Sequence, residues 1–388
     1  MLYLDNAATT PVRPEVLEAM APYLARTFGN PSSHHTVGEA AAAALADARA
    51  RVAHVLGMRP ADIVLTSGGT ESNNLAVKGL VVAAVTGPRA VRPGHLVTSP
   101  IEHESVLASA DHLARIHGVD VSLVPVDPGG RWHADAVAEA IRADTVLVSF
   151  GYANNEIGTV QDVAAIAAAV RTAAGDRRIP VHIDAVQAAG WLPLSARELG
   201  VDAITVAGHK IGAPKGTGVL GVRSRLPLEP VLHGGGQQQG RRGGTEDVAG
   251  AVALATALEL AEAERDEASR RVGAWRDAFI ARVLALVPSS RLTGDPVHRL
   301  AGTASFTFAG TSGEAVLLEL ERRGVVSSSG SACAAGSDEP SHVLTALGID
   351  AEVARTAVRF TLPRSLAQPL DAVADAVAAS VAAVRSDG

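Results

Sequence analysis

Cysteine is almost missing from this chain: Cys333 is the single one in 388 residues. No disulfide can close within the chain, and its cysteine usage gives no sign of an oxidising compartment. A cationic surplus is missing too. Lys and Arg number 34 against 41 Asp and Glu, and the formal net charge of −7 argues against nucleic acid as the main partner. No stretch is both long and uncharged enough to span a bilayer, so no membrane contact is expected. The first residues, Met1 to Thr10, carry neither a basic n-region nor an apolar h-region. The sequence therefore predicts a cytoplasmic protein without a signal peptide. At this length about two domains are expected, each with its own core.

What is present alternates. Short apolar runs at Ile63–Thr66, His95–Thr98, Val121–Val124, Thr145–Phe150, Pro180–Ile183 and Val201–Ala207 read as strands, and helical segments separate most of them. Ala40 to Leu56 reads as a helix ended by Gly57, and Val163 to Ala174 as another with Asp162 as its N-cap. Buried strands alternating with helices predict an α/β domain around a mostly parallel sheet. After residue 260 the texture changes to a charged amphipathic helix from Glu262 to about Val287, strands near Ala304–Phe308 and Ala357–Thr361, and a last helix from Leu370 to Val384. The expected division is a large domain over 15–260. A smaller α+β domain is formed by 1–14 and 261–388. The Gly- and Gln-rich stretch His233–Thr245 reads as a flexible surface connector.

Ligands of open α/β sheets bind at the carboxyl ends of the strands. Ser67 to Asn74 follows a strand and opens a helix, so Gly68, Gly69 and Thr70 can offer donors to a phosphate. A merely glycine-rich turn would look the same. Asn155 follows another strand, Asp184 ends the next, and Lys210 comes 26 residues later, just past a third. Singly these read as a turn residue, a helix cap and a solvated tip. Together, a lysine amine, a carboxylate and a phosphate cup are what pyridoxal phosphate requires. Cys333 sits in Ser-Ser-Ser-Gly-Ser-Ala-Cys-Ala-Ala-Gly, a run of small residues suited to presenting a thiol, although a lone cysteine is more often a small buried hydrophobe. No ligand spacing links it with His34 and His35, so no metal site is expected. Arg359 alternates with Val358 and Phe360, which by itself predicts a solvated side chain.

The chain resembles the NifS/IscS-type cysteine desulfurases of the class V aminotransferase family, which are fold-type I enzymes dependent on pyridoxal 5'-phosphate. The resemblance runs through Tyr3-Leu-Asp-Asn-Ala-Ala-Thr-Thr-Pro11, Thr66-Ser-Gly-Gly-Thr-Glu-Ser-Asn-Asn74, Glu102-His103 and Asn154-Asn-Glu-Ile-Gly158. It continues through Asp184-Ala-Val-Gln187, Gly208-His-Lys210, His233-Gly-Gly-Gly236, Ser328-Ser-Gly-Ser-Ala-Cys333 and Arg359-Phe360. It implies a large domain with a mostly parallel seven-stranded sheet and a smaller C-terminal domain.

The resemblance also implies roles. Lys210 is the Schiff-base lysine, Asp184 pairs with the pyridinium nitrogen, Gln187 bonds the ring hydroxyl, and His103 stacks on the ring and shuttles protons. Gly69, Thr70 and His209 hold the phosphate, with Thr245 reaching it across a homodimer interface. Asn155 and Arg359 hold the substrate carboxylate. Cys333 takes the sulfur of L-cysteine as a persulfide, releases alanine, and passes the sulfur to an acceptor protein, as in iron–sulfur cluster assembly. Three departures stand out. Ala207 and Gly244 occupy positions where the family often has serine, and the chain stops at Gly388 without the extended tail used for scaffold docking. A class V transaminase or lyase in which Cys333 is incidental, and a non-catalytic partner with the same fold, are the rival readings.

Overall fold

The computed structural model describes residues 1–88, 90–329 and 339–386. The strands in chain order are β1 (Leu2–Tyr3), β2 (Ile63–Thr66), β3 (His95–Thr98), β4 (Asp120–Leu123), β5 (Thr145–Gly151), β6 (Val181–Asp184), β7 (Ala203–Ala207) and β8 (Gly218–Val222). After a long helical interval come β9 (Ser290–Leu292), β10 (Thr303–Phe308), β11 (Val325–Val326) and β12 (Ala357–Thr361).

The large sheet has the order β2-β8-β7-β6-β5-β3-β4. Its β4-β3-β5-β6-β7 part is parallel, and β8 runs antiparallel to both β7 and β2. Central strands such as Ala203–Ala207 are buried at every position, as parallel strands covered by helices on both faces must be. One face packs against helices Thr36–Val55 and Val163–Ala174, the other against Gly69–Thr86 and Glu104–His117. Local signals set the helix ends. Asp162 accepts the Ala165 N–H and starts one helix, while Gly118, at φ +64°, ends another in the left-handed region.

Helix Val248–Leu286 is continuous over 39 residues and begins well before Glu262, where the sequence pattern placed it. Its first part, through Ala261, is alanine- and leucine-rich and belongs to the large core; with apolar residues on every side it has no amphipathic stripe to read. Its second part contributes Val272, Phe279 and Val283 to the smaller core. There the antiparallel sheet β12-β10-β9 presents Phe306 and Phe360, which meet Phe279 edge to face at ring separations of 5.9 and 5.2 Å. Such pairs contribute about 0.5–1.5 kcal/mol each beyond their burial. The N-terminal residues pair with C-terminal strands: β1 pairs with β11, and Asp5 bridges to Thr361 of β12.

Candidate active site

The carboxyl edge of the parallel strands gathers several of the candidate residues. β5 leads into Asn154 and Asn155, β6 ends on Asp184, and β7 runs into the short turn Gly208–Lys210. A cavity of about 510 Å³ opens there, lined by His103, Asn155, Asp184, Gln187, Lys210 and Arg359. That volume suits a bound cofactor of small-molecule size. A larger hollow of about 730 Å³ lies beyond Ala7 and shares Gln187 and Lys210 with it. Asp184, His103 and Arg359 line only the smaller cavity, which is therefore the candidate site.

Each side chain is held by its neighbours. The Lys210 ammonium donates to the main-chain carbonyls of Ala7 and Ala8, the latter at 2.7 Å. Gln187 Nε2 donates to the Ala7 carbonyl at 3.1 Å. Asp184 accepts the Val186 N–H at 2.9 Å and the Asn73 amide at 2.6 Å, which fixes both carboxylate oxygens. His103 is the N-cap of helix Glu104–His117, its ring Nδ1 accepting the Ser105 N–H at 3.0 Å.

Arg359 overturns the expectation drawn from strand alternation. Its side chain is 1% exposed, because β12 is covered on both faces. Its Nη2 pairs with Asp5 at 2.7 Å and its Nη1 donates to the Asn155 carbonyl at 2.9 Å. An arginine buried beside the cavity and fixed on two sides is preorganised for a carboxylate.

The phosphate candidates Gly69, Thr70, His209 and Thr245 are not among the residues that line this cavity. Gly69 and Thr70 open helix Gly69–Thr86; a Cβ on Gly69 would come within 2.9 Å of Val186 Cγ2, so a side chain there would have to push Val186 aside. His209 Nδ1 lies 3.1 Å from Thr9 Oγ1. Burial, with Lys210 and Lys215 adding to it, lowers the His209 pKa to about 4, so the ring is neutral at pH 7. Thr245 lines a separate hollow with Thr66, Ser67 and Arg242, and within one chain it stays outside the Lys210 cavity. Cys333 lies outside the described residues.

The connector His233–Thr245 is tethered, contrary to the expectation of a loose loop. Gln238 is 5% exposed; its Oε1 accepts the Leu65 N–H at 2.8 Å and its amide donates to Glu246.

Sequence reasoning gave no role to three groups that the fold brings to the site. Asn73 and Ser105 link Asp184 to His103. Glu102 lies against the cavity with its carboxyl buried, accepting the Ser99 hydroxyl at 2.5 Å. Burial, and then the nearby Asp184 charge, raise its pKa to about 8. Glu102 was visible only as part of a motif, and its burial was the missing signal.

The donor set fits pyridoxal phosphate. An amine and a fixed carboxylate face one cavity, a glycine turn allows close backbone approach, and a buried arginine stands at the side.

Comparison with known proteins gives the family. Residues 2–365 match the aminotransferase class-V family. A cysteine desulfurase IscS of Dictyoglomus turgidum is 41% identical over 93% of this chain and 89% of its own length. A solved NifS-like protein superposes with a TM-score of 0.87 at 33% identity, covering 100% of this chain and 98% of its own. SspA, solved in complex with cysteine, gives a TM-score of 0.80 at 36% identity over 94% of this chain and 99% of its own. The chain belongs to the aminotransferase class-V family, among its cysteine desulfurases of the NifS/IscS type.

Proposed function

We propose that this protein is a pyridoxal-phosphate-dependent cysteine desulfurase that converts L-cysteine to L-alanine and moves the sulfur onto Cys333. The observation that carries the reading is the convergence of Lys210, Asp184, His103 and Arg359, from four separate elements, on one cavity. When bound, pyridoxal phosphate supplies an electron sink for charge developing at the substrate Cα. Lys210 would hold it covalently, and its amine, when free, would take the substrate Cα proton. Asp184 keeps the ring nitrogen protonated. Gln187 bonds the ring oxygen, while Gly69, Thr70 and His209 hold the phosphate together with Thr245 of a second copy in a homodimer. Arg359 and Asn155 orient the substrate carboxylate.

The Cys333 thiolate then attacks the substrate sulfur. The C–S bond breaks as the S–S bond forms, the substrate carbon keeps the electron pair and is protonated, and one cysteine plus one enzyme thiol become one alanine plus one enzyme persulfide. A sulfur-acceptor protein in the cytoplasm takes the sulfur onward.

The test is to supply L-cysteine and a reductant to the purified protein and quantify alanine and sulfide. Equal amounts of both, lost in Cys333→Ala, are expected. Alanine or pyruvate formed at full rate in Cys333→Ala would move the protein to the transaminase or lyase class.

A further inference from the structure

The Asn73 amide nitrogen has two hydrogens, and both are engaged. It donates to Asp184 Oδ2 at 2.6 Å and to Ser105 Oγ at 2.9 Å. Turned over, the amide would set Oδ1 against the Asp184 carboxylate, so its orientation is dictated. Ser105 Oγ therefore receives a hydrogen, and its own O–H has His103 Nδ1 at 2.8 Å to donate to. The Ser105 main-chain N–H also donates to Nδ1, at 3.0 Å, and a main-chain N–H has no other option. Two donors on one ring nitrogen require that nitrogen to carry the lone pair. Asn73 is 1% exposed and Ser105 7%, so little water competes for these bonds.

We propose that Asn73 and Ser105 are positioning residues that tie His103 to Asp184 and hold the neutral imidazole as its Nε2–H tautomer. His103 then offers the cavity a hydrogen-bond donor, and the group it serves is an electron-rich oxygen or sulfur of the cofactor or substrate. The line of hydrogen bonds ends at the Asn73 amide, which relays no proton, so His103 draws none from Asp184 along it. That His103 faces the cofactor rests on the proposed function; the proton assignment rests on the four hydrogen bonds alone.

The test is two-bond 1H–15N correlation NMR on the full-length chain labelled with 15N-histidine, with and without pyridoxal phosphate. His103→Gln identifies the signal. An unprotonated Nδ1 and a protonated Nε2 are expected. Ser105→Ala removes the hydroxyl but keeps the main-chain donor. It should move the tautomer ratio about fivefold toward Nδ1–H, the size of one ordinary hydrogen bond, and Ser105→Thr should restore it. A wild-type spectrum with the proton on Nδ1 overturns the proposal, whatever the variants do. The expected tautomer in a chain without desulfurase activity would remove the proposed reaction and leave this assignment standing.

Discussion

Replacing Glu102 by Gln should make the protein more stable than wild type, and by an amount that grows with pH. In the unfolded chain the Glu102 carboxyl has its ordinary pKa of 4.5, whereas in the folded protein burial raises it to about 8. Below 4.5 both states hold the proton and the group is neutral to folding. Between 4.5 and about 8 the unfolded chain releases the proton while the native state keeps it, so stability falls across that window and is flat above it. At about 1.4 kcal/mol per pH unit the fall amounts to about 5 kcal/mol. Gln keeps the neutral shape, and its carbonyl oxygen can accept the Ser99 hydroxyl that Glu102 accepts at 2.5 Å, but it does not titrate. Urea unfolding of wild type and Glu102→Gln, followed from pH 4 to pH 9, reads the difference directly. The gap should open by about 5 kcal/mol between pH 4.5 and 8 and then stay constant. Two parallel curves would refute the reasoning, because they would mean that Glu102 ionises as easily in the folded protein as outside it.

Arg359→Lys keeps the charge but loses the fork held by Asp5 and Asn155, and kcat/KM for L-cysteine should fall by about 30-fold, the worth of one hydrogen bond to a charged group. Alanine release under limiting cysteine measures it; unchanged kinetics would remove Arg359 from the substrate site. Lys210→Ala should bind pyridoxal phosphate without a covalent link. Borohydride treatment followed by intact-mass measurement should then add the cofactor mass to wild type only, and addition to the variant would assign the link to another lysine.

The parts of the fold legible in the sequence were those whose pattern follows from burial over a short window. Strands such as Ala203–Ala207, buried along their whole length, stand out as apolar runs, and the Asp162 cap marks its helix in four residues. Helix Val248–Leu286 was legible only in its second part, since the first is surrounded by core and shows no periodicity. Arg359 was misread because alternation assumes one wet face, and β12 has none. The candidate site was readable as a set of residues at strand ends, but not as a network. Asn73 reaches Asp184 across 111 positions and Ser105 across 32, separations at which no local pattern exists.

The pairing of the first residues with the last sets the order in which the site can be completed. Leu2 and Tyr3 find their partners at Val325 and Val326, and Asp5 finds its partner at Arg359, so these residues leave the ribosome long before their partners do. At about 5–20 residues per second, the 354 positions between Asp5 and Arg359 correspond to a delay of roughly 20–70 s. Throughout it the segment bearing the Ala7 and Ala8 carbonyls, which hold the Lys210 ammonium, lacks its Thr361 anchor, while Thr10 can already bond to His209. The cradle of carbonyls around the Lys210 ammonium is thus closed on its N-terminal side only after β12 has been made.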